Sequence, residues 1–232
     1  MNNVYAIIAA GGTGTRMGSG IPKQYIKVSN KEIIKWTVEV FLRCDAFDKI
    51  IIAVPENWIS HTEELFYGNS NICVIAGGEN RNETICKSIS YIDSNYHTDD
   101  RTVVLTHDAA RPCVSEKTVL ECIDSISEKT PCSTVTIPAT DSFALSSDGK
   151  YISSYQDRSV LYHIQTPQTF LLKEYLSLVG KFPEASSFTE ATQLFRAAGH
   201  DVAMIMGDKR NIKVTTAEDL EMIKMFLQDM SV

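Results

Sequence analysis

Five short apolar runs, at residues 4–10, 49–54, 72–75, 103–106 and 134–137, alternate with segments whose apolar side chains recur at helical spacing. This alternation constrains the fold more than any other feature. A strand apolar on both faces must be covered on both, and a helix between successive strands supplies the cover. The expected class is α/β, a mostly parallel sheet flanked by helices. Residues 32–43 place Ile34, Val38 and Phe41 on one helical face, and residues 82–91 carry Ile85 and Ile89 with Ile92 nearby. Ser115 precedes a helix over 116–127, and a helix over 189–198 stops at Gly199, as a C′ glycine should. Thr215-Thr-Ala-Glu218 reads as a capping box that opens a last helix to about Met230.

One stretch breaks the rhythm. From about residue 139 to 164 the chain turns polar, and Asp148-Gly149 is flanked by short alternating segments at 143–145 and 151–155. That pattern predicts a β-hairpin arm protruding from the sheet. A lone hairpin buries no core of its own, so the arm is expected to pack on a second copy of the chain. At 232 residues, the simplest organisation is one domain over 1–232 carrying an arm at about 139–164.

The balance of charges narrows the ligands. A net charge of −7 argues against a nucleic-acid groove, because affinity there comes from basic residues that displace counterions. An anionic ligand must be met by a few placed cations. The first ten residues lack a basic leader, and their apolar run is too short to cross a bilayer, so no membrane segment is expected. The six cysteines form no CxxC pair and sit in apolar segments, which fits reduced core thiols in a cytoplasmic protein.

After the first strand comes Ala9-Ala-Gly-Gly-Thr-Gly-Thr-Arg-Met-Gly18, followed by Pro22-Lys23-Gln24. A dinucleotide fingerprint anchored on Gly12 and Gly14 needs glycine where Met17 stands, and no Gly-Lys-Ser/Thr follows at P-loop spacing. What is left is a run of backbone N–H donors followed by two cations, Arg16 and Lys23. Such a loop can cradle phosphate oxygens, and the cations can stabilise charge building at a phosphorus under attack. A plain strand-to-helix connection with solvated Arg16 and Lys23 is the blander alternative.

Three further clusters are expected at strand ends, where open α/β sheets bind ligands. They are Gly77-Gly-Glu-Asn-Arg-Asn-Glu-Thr84, Thr106-His-Asp-Ala-Ala-Arg-Pro112 and Gln165-Thr-Pro-Gln-Thr-Phe170. Asp108 follows an apolar strand and is suited to hold Mg²⁺ against phosphates, although a local Asp108–Arg111 ion pair would explain the same residues. His107 is read as a packing or hydrogen-bonding residue rather than a base, and Trp58 as packing.

Taken in order, these motifs together with Asn211-Ile-Lys213-Val-Thr resemble the CTP-dependent cytidylyltransferases of polyol phosphates over nearly the whole chain. The resemblance implies a Rossmann-like nucleotide-binding sheet whose arm makes a homodimer, with CTP as co-substrate and Mg²⁺ as cofactor. Arg16 and Lys23 match the family's triphosphate and transition-state cations. Ala10, Gly11, Gly12 and Gly14, with Gly78, Glu79, Arg81 and Thr84, match its CTP pocket. Asp108 matches the metal-binding aspartate and Arg111 its neighbour. Thr140, Arg158, Thr166, Thr189 and Lys213 match the polyol-phosphate site, with Arg158 reaching the neighbouring subunit.

The resemblance has two branches, which take ribitol 5-phosphate or 2-C-methyl-D-erythritol 4-phosphate. The run from Pro55 through Trp58 to Glu63 and the segment Thr189-Glu190-Ala191 look like the ribitol branch, whereas Ala109-Ala110 is more typical of the other. Ribitol 5-phosphate is therefore the favoured acceptor, and Pro138-Ala-Thr140 departs from both patterns.

Overall fold

The strand β1 (Val4–Ala9) holds the middle of the sheet because both its faces are apolar: Ala6 and Ile8 pack into one layer, Tyr5 and Ile7 into the other, all buried. A computed structural model of the chain describes residues 3–12, 20–182, 188 and 190–229. The ribbon β2 (Lys27–Val28) and β3 (Lys31–Glu32) leads into α1 (Ile33–Cys44), followed by β4 (Lys49–Val54), α2 (Ile59–Leu65), β5 (Ile72–Ala76) and α3 (Arg81–Asn95). The chain continues through β6 (Val103–Asp108), α4 (Glu116–Asp124) and β7 (Cys132–Pro138), then the arm strands β8 (Phe143–Leu145) and β9 (Ser154–Gln156). It closes with β10 (Tyr162–Leu171), α5 (Leu172–Lys181), α6 (Ala191–Ala197), β11 (Ala203–Met206) and α7 (Ala217–Asp229).

Seven strands form the main sheet in the order β11-β7-β10-β6-β1-β4-β5. Neighbours run parallel except at β10, which is antiparallel to both β6 and β7. Ile34, Val38 and Phe41 of α1 and Val119 and Cys122 of α4 cover one face. The other face is covered by Ile85, Ile89 and Ile92 of α3, with α5 and α6. Each such isoleucine, once fully buried, stabilises the fold by about 1.5–3 kcal/mol. A smaller cluster of Val28, Ile33, Val214, Ile223 and Leu227 fixes α7 and the segment before it to the β2–β3 ribbon.

From β1 the chain builds outward to β4 and β5, then crosses back to place β6 on the other side of β1. In register, Ala9 pairs with both Ala53 and Asp108. The C-terminal ends of β1, β4 and β6 therefore meet at one edge, over the crevice where strand order reverses.

Several sequence expectations shift. β6 runs two residues further than its apolar pattern, so Asp108 is the strand's last residue. The Thr-Pro-Gln-Thr-Phe cluster lies within β10 rather than after a strand, because the inward positions Gln165, Thr166, Gln168 and Thr169 are polar yet buried and give no apolar alternation. The register of β10 against β7 slips between Ile164 and Gln168, where Pro167 has no N–H for the ladder. The cap of α7 sits one residue later than read: Asp219 N donates to Thr216 Oγ1 at 3.3 Å, and Thr216 N donates to Asp219 Oδ2 at 2.9 Å.

The arm forms as a hairpin, with Gly149 at φ +68° and Asp148 Oδ1 accepting from the Lys150 and Tyr151 amides. All six cysteines are free thiols, and burial pushes those of Cys113 and Cys122 up to about 12. Among the described residues no helix is long and apolar enough to cross a membrane.

Candidate active site

Two glycine loops close on each other at the sheet edge. Ala10 N donates to Ala53 O and Gly77 N to Val54 O, so both loops leave the sheet from fixed points. Thr84, in the first turn of α3, ties the second loop: its hydroxyl accepts from Gly78 N at 2.9 Å and donates to Asn80 O at 2.8 Å. A Cβ on Gly11 would stand 2.9 Å from that hydroxyl, and one on Gly78 2.6 Å from Glu83 Cβ. At Gly78, where the Glu83 carbonyl carbon would lie 2.8 Å away, no larger residue fits without moving backbone, and at Gly11 the Thr84 hydroxyl would have to give way. Gln24 completes the frame, buried and donating to Ala10 O at 2.6 Å.

A cavity of about 250 Å³ opens between these loops and β6, lined by Gly11, Gly12, Lys23, Arg81, Asp108 and Lys213 among others. Asp108 sits at its floor amid three cations. Its Oδ1 accepts from Arg81 Nε at 2.9 Å, and its Oδ2 faces Lys213 Nζ at 3.0 Å and Arg111 Nε at 3.3 Å. Burial alone would raise the carboxyl pKa; the charges of Arg81, Lys213 and Arg111 overcome it and hold Asp108 well below the usual carboxylate range. The local Asp108–Arg111 pair anticipated from sequence is present, but as one arm of a wider cluster.

Behind Asp108 the hydrogen bonds fix a histidine tautomer. The Arg111 carbonyl can only accept, so His107 Nε2, 3.0 Å away, carries the hydrogen. His107 Nδ1 is then the acceptor for the Thr166 hydroxyl at 3.0 Å, and that hydroxyl accepts from the Asp108 amide at 3.2 Å. Asn211 supports the same corner: its side-chain amide donates to Thr166 O at 2.9 Å, and its carbonyl accepts from Arg111 Nη1 at 2.8 Å. Val214 N donates to Ala110 O, which brings Lys213 over Asp108.

This arrangement predicts acid sensitivity. Burial lowers the His107 pKa from 6.5 to about 4, so the unfolded chain takes up a proton before the folded one does. The associated stability is complete above pH 6.5 and is lost as pH falls toward 4. Between pH 7 and pH 5 the loss is about 2 kcal/mol from this residue. Urea unfolding at both pH values checks it: His107→Asn should show a pH dependence smaller by that amount, and an unchanged dependence would refute the assignment.

The sequence-assigned residues divide by location. Ala10, Gly11, Gly12, Lys23, Glu79, Arg81, Thr84, Asp108 and Lys213 line the cavity. Gly78 and Arg111 adjoin it, the first through Thr84 and the second through Asp108. Thr166 lies beneath it as a buried strut. Thr140 and Arg158 lie on the arm, where Arg158 Nη1 donates to Thr140 O at 3.2 Å, and neither lines the cavity of its own chain. Gly14, Arg16 and Thr189 lie outside the described residues. Sequence reasoning missed Gln24, Asn211, Gln168 and Glu190 as site residues, although each stands inside or beside a quoted motif.

A sequence model of the 2-C-methyl-D-erythritol 4-phosphate cytidylyltransferase family matches residues 4–229. A ribitol-5-phosphate cytidylyltransferase of Streptococcus pneumoniae (strain ATCC 700669 / Spain 23F-1) is 35% identical over 233 residues, covering 97% of this chain and 99% of its own. The solved 4-diphosphocytidyl-2C-methyl-D-erythritol synthase of Anaerococcus prevotii DSM 20548 aligns at TM-score 0.82 and 27% identity, covering 98% of this chain and 96% of its own. The 2-C-methyl-D-erythritol 4-phosphate cytidylyltransferase of Francisella tularensis aligns at TM-score 0.81 and 27% identity, covering 97% and 100%.

Proposed function

The chain belongs to the 2-C-methyl-D-erythritol 4-phosphate cytidylyltransferase family, and on that premise we propose that it transfers CMP from CTP to D-ribitol 5-phosphate, giving CDP-ribitol and pyrophosphate. The observation that carries the transfer reaction is the cationic cavity around Asp108 at the crevice between β1 and β6. The acceptor reading is supported by the near-full-length similarity to the pneumococcal ribitol-5-phosphate enzyme.

In this reading the amides at Gly11 and Gly12, with Lys23 and Arg16, receive the triphosphate. A phosphate oxygen of the polyol phosphate attacks the α-phosphorus in line, the new P–O bond forms as the α–β bridge breaks, and pyrophosphate leaves. The nucleophile is already an anion, so no base is required. Lys23, Arg81 and Lys213 neutralise charge that spreads over the α-phosphate and the leaving group.

Asp108 is the carboxylate that would hold magnesium, in exchange for part of its pairing with Arg81, Lys213 and Arg111. Mg²⁺ is commonly held by one or two carboxylates together with substrate phosphates, and Asp108 offers one carboxylate on the cavity floor. No group of three or more His, Cys, Asp or Glu side chains that could hold a metal exists among the described residues, so the ion would depend on the triphosphate for most of its ligands. Held by Asp108, it would offset the charge of the triphosphate.

The arm completes the proposal as a dimerising element of a cytoplasmic homodimer. Tyr151, Tyr155 and Val160 are each more than 70% exposed on it, a large apolar surface for a two-stranded hairpin. Arg158 would act in the partner's cavity. Mixing equal amounts of inactive Arg158→Ala and Lys23→Ala subunits should restore about a quarter of the sites, since half the dimers are mixed and one of their two sites is intact. No recovery despite demonstrated subunit exchange would refute action in trans.

Pyrophosphate release from CTP, measured in parallel with ribitol 5-phosphate and 2-C-methyl-D-erythritol 4-phosphate, tests the whole reading. Release with neither acceptor overturns the reaction, and release with only the second overturns the acceptor.

A further inference from the structure

Glu190 is an acidic side chain that stands behind the cationic cavity, in contact with Arg81 of its wall. It closes a capping box with Gln193 at the start of α6, Glu190 N donating to Gln193 Oε1 at 3.1 Å. A helix cap alone does not explain the rest of its contacts. Glu190 Oε2 faces Arg81 Nη1 at 3.2 Å and accepts from Gln168 Nε2 at 2.6 Å. Gln168 is fully buried, and its Oε1 has no partner among the described residues. Turning the amide over would set Oε1 against the carboxylate, so the amide is committed to Glu190 at the cost of an unsatisfied oxygen.

Arg81 is thereby gripped twice, by Glu190 through Nη1 and by Asp108 through Nε. It is also the first residue of α3, where the helix dipole disfavours a cation and two carboxylates offset the penalty. Asp108 and Glu190 together face Arg81, Arg111 and Lys213, leaving one excess positive charge.

We infer that Glu190 is a positioning residue: it holds the Arg81 guanidinium against Asp108 and competes with triphosphate oxygens for it, so that Arg81 meets the developing charge at the α-phosphorus rather than clamping the ground-state nucleotide. The inference rests on the cytidylyl-transfer reading and deepens it. A group held back from the ground state contributes to kcat rather than to affinity.

The test is Glu190→Gln, which keeps the side chain's shape and removes its charge, compared with Glu190→Asp, which keeps the charge and shortens the reach. For Glu190→Gln, CTP should bind several-fold more tightly by calorimetry while kcat falls roughly tenfold, the thermal midpoint dropping only slightly for the lost Arg81 partner. Glu190→Asp should return CTP affinity to about the wild-type value and leave kcat reduced. A parallel loss of affinity, kcat and thermal stability in Glu190→Gln would reduce the residue to a helix cap and overturn the inference, as would unaltered affinity and kcat. Should wild-type protein release no pyrophosphate with either acceptor, the transfer reading fails by itself, and CTP affinity still reports whether Glu190 restrains Arg81.

Discussion

Lys23→Ala lowers kcat by roughly 10² or more while the fold stays intact. The expectation follows from how the turn carrying Lys23 is held. Lys23 opens a single 3-10 turn, Lys23–Tyr25, whose other two residues are buried. Gln24 is hydrogen-bonded to Ala10 O, and Tyr25 stacks on Trp58 at 4.1 Å and bonds Thr62 Oγ1 at 2.7 Å. The backbone is thus fixed by its neighbours, and removing the Lys23 side chain deletes a cation from the cavity wall without releasing the turn. Steady-state pyrophosphate release, with the thermal midpoint measured alongside, checks it. Turnover near the wild-type rate would remove Lys23 from the transition-state machinery. Loss confined to KM for CTP would make it a ground-state contact.

That turn also shows which parts of the site can be read from a sequence. The sheet was legible because β1, β4, β5 and the first half of β6 are apolar on both faces, and such runs have few alternatives, while β7 was legible from its alternating Thr, Val and Ile. Asp108 and Lys213 were legible as types in a motif, and the structure brings them within 3.0 Å across more than a hundred residues of chain. The buried polar frame was not legible. Gln24, Gln168 and Asn211 act through side-chain amides inside the core, where residue type alone does not distinguish a strut from a surface polar group. β10 escaped notice for the same reason, since its buried face carries Gln and Thr. The run from Trp58 to Glu63, read as a mark of the ribitol branch, buttresses the Lys23 turn through Trp58, Thr62 and the His61–Glu32 contact.

With ribitol 5-phosphate as acceptor, kcat/KM exceeds that with 2-C-methyl-D-erythritol 4-phosphate by an expected factor on the order of 10² to 10⁴. The two acceptors present the same phosphate, so the cations proposed to meet it, Lys213 and Arg158, cannot separate them. Discrimination must come from the polyol chain. Ribitol is longer and unbranched with an additional hydroxyl, whereas methylerythritol carries a methyl group on its shorter chain. A pocket whose polar groups are set for the longer chain leaves donors and acceptors unpaired around the methyl, and each buried unpaired group costs about 1–3 kcal/mol. Thr140 lies beside Arg158, and the segment Pro138-Ala-Thr140 around it departs from the sequence pattern of both branches, so this position assigns the chain to neither acceptor. Parallel measurement of kcat/KM for both acceptors at saturating CTP checks the preference. Equal or reversed values would move the chain to the methylerythritol branch, while the cluster around Asp108, proposed to meet only phosphate groups, would keep its role.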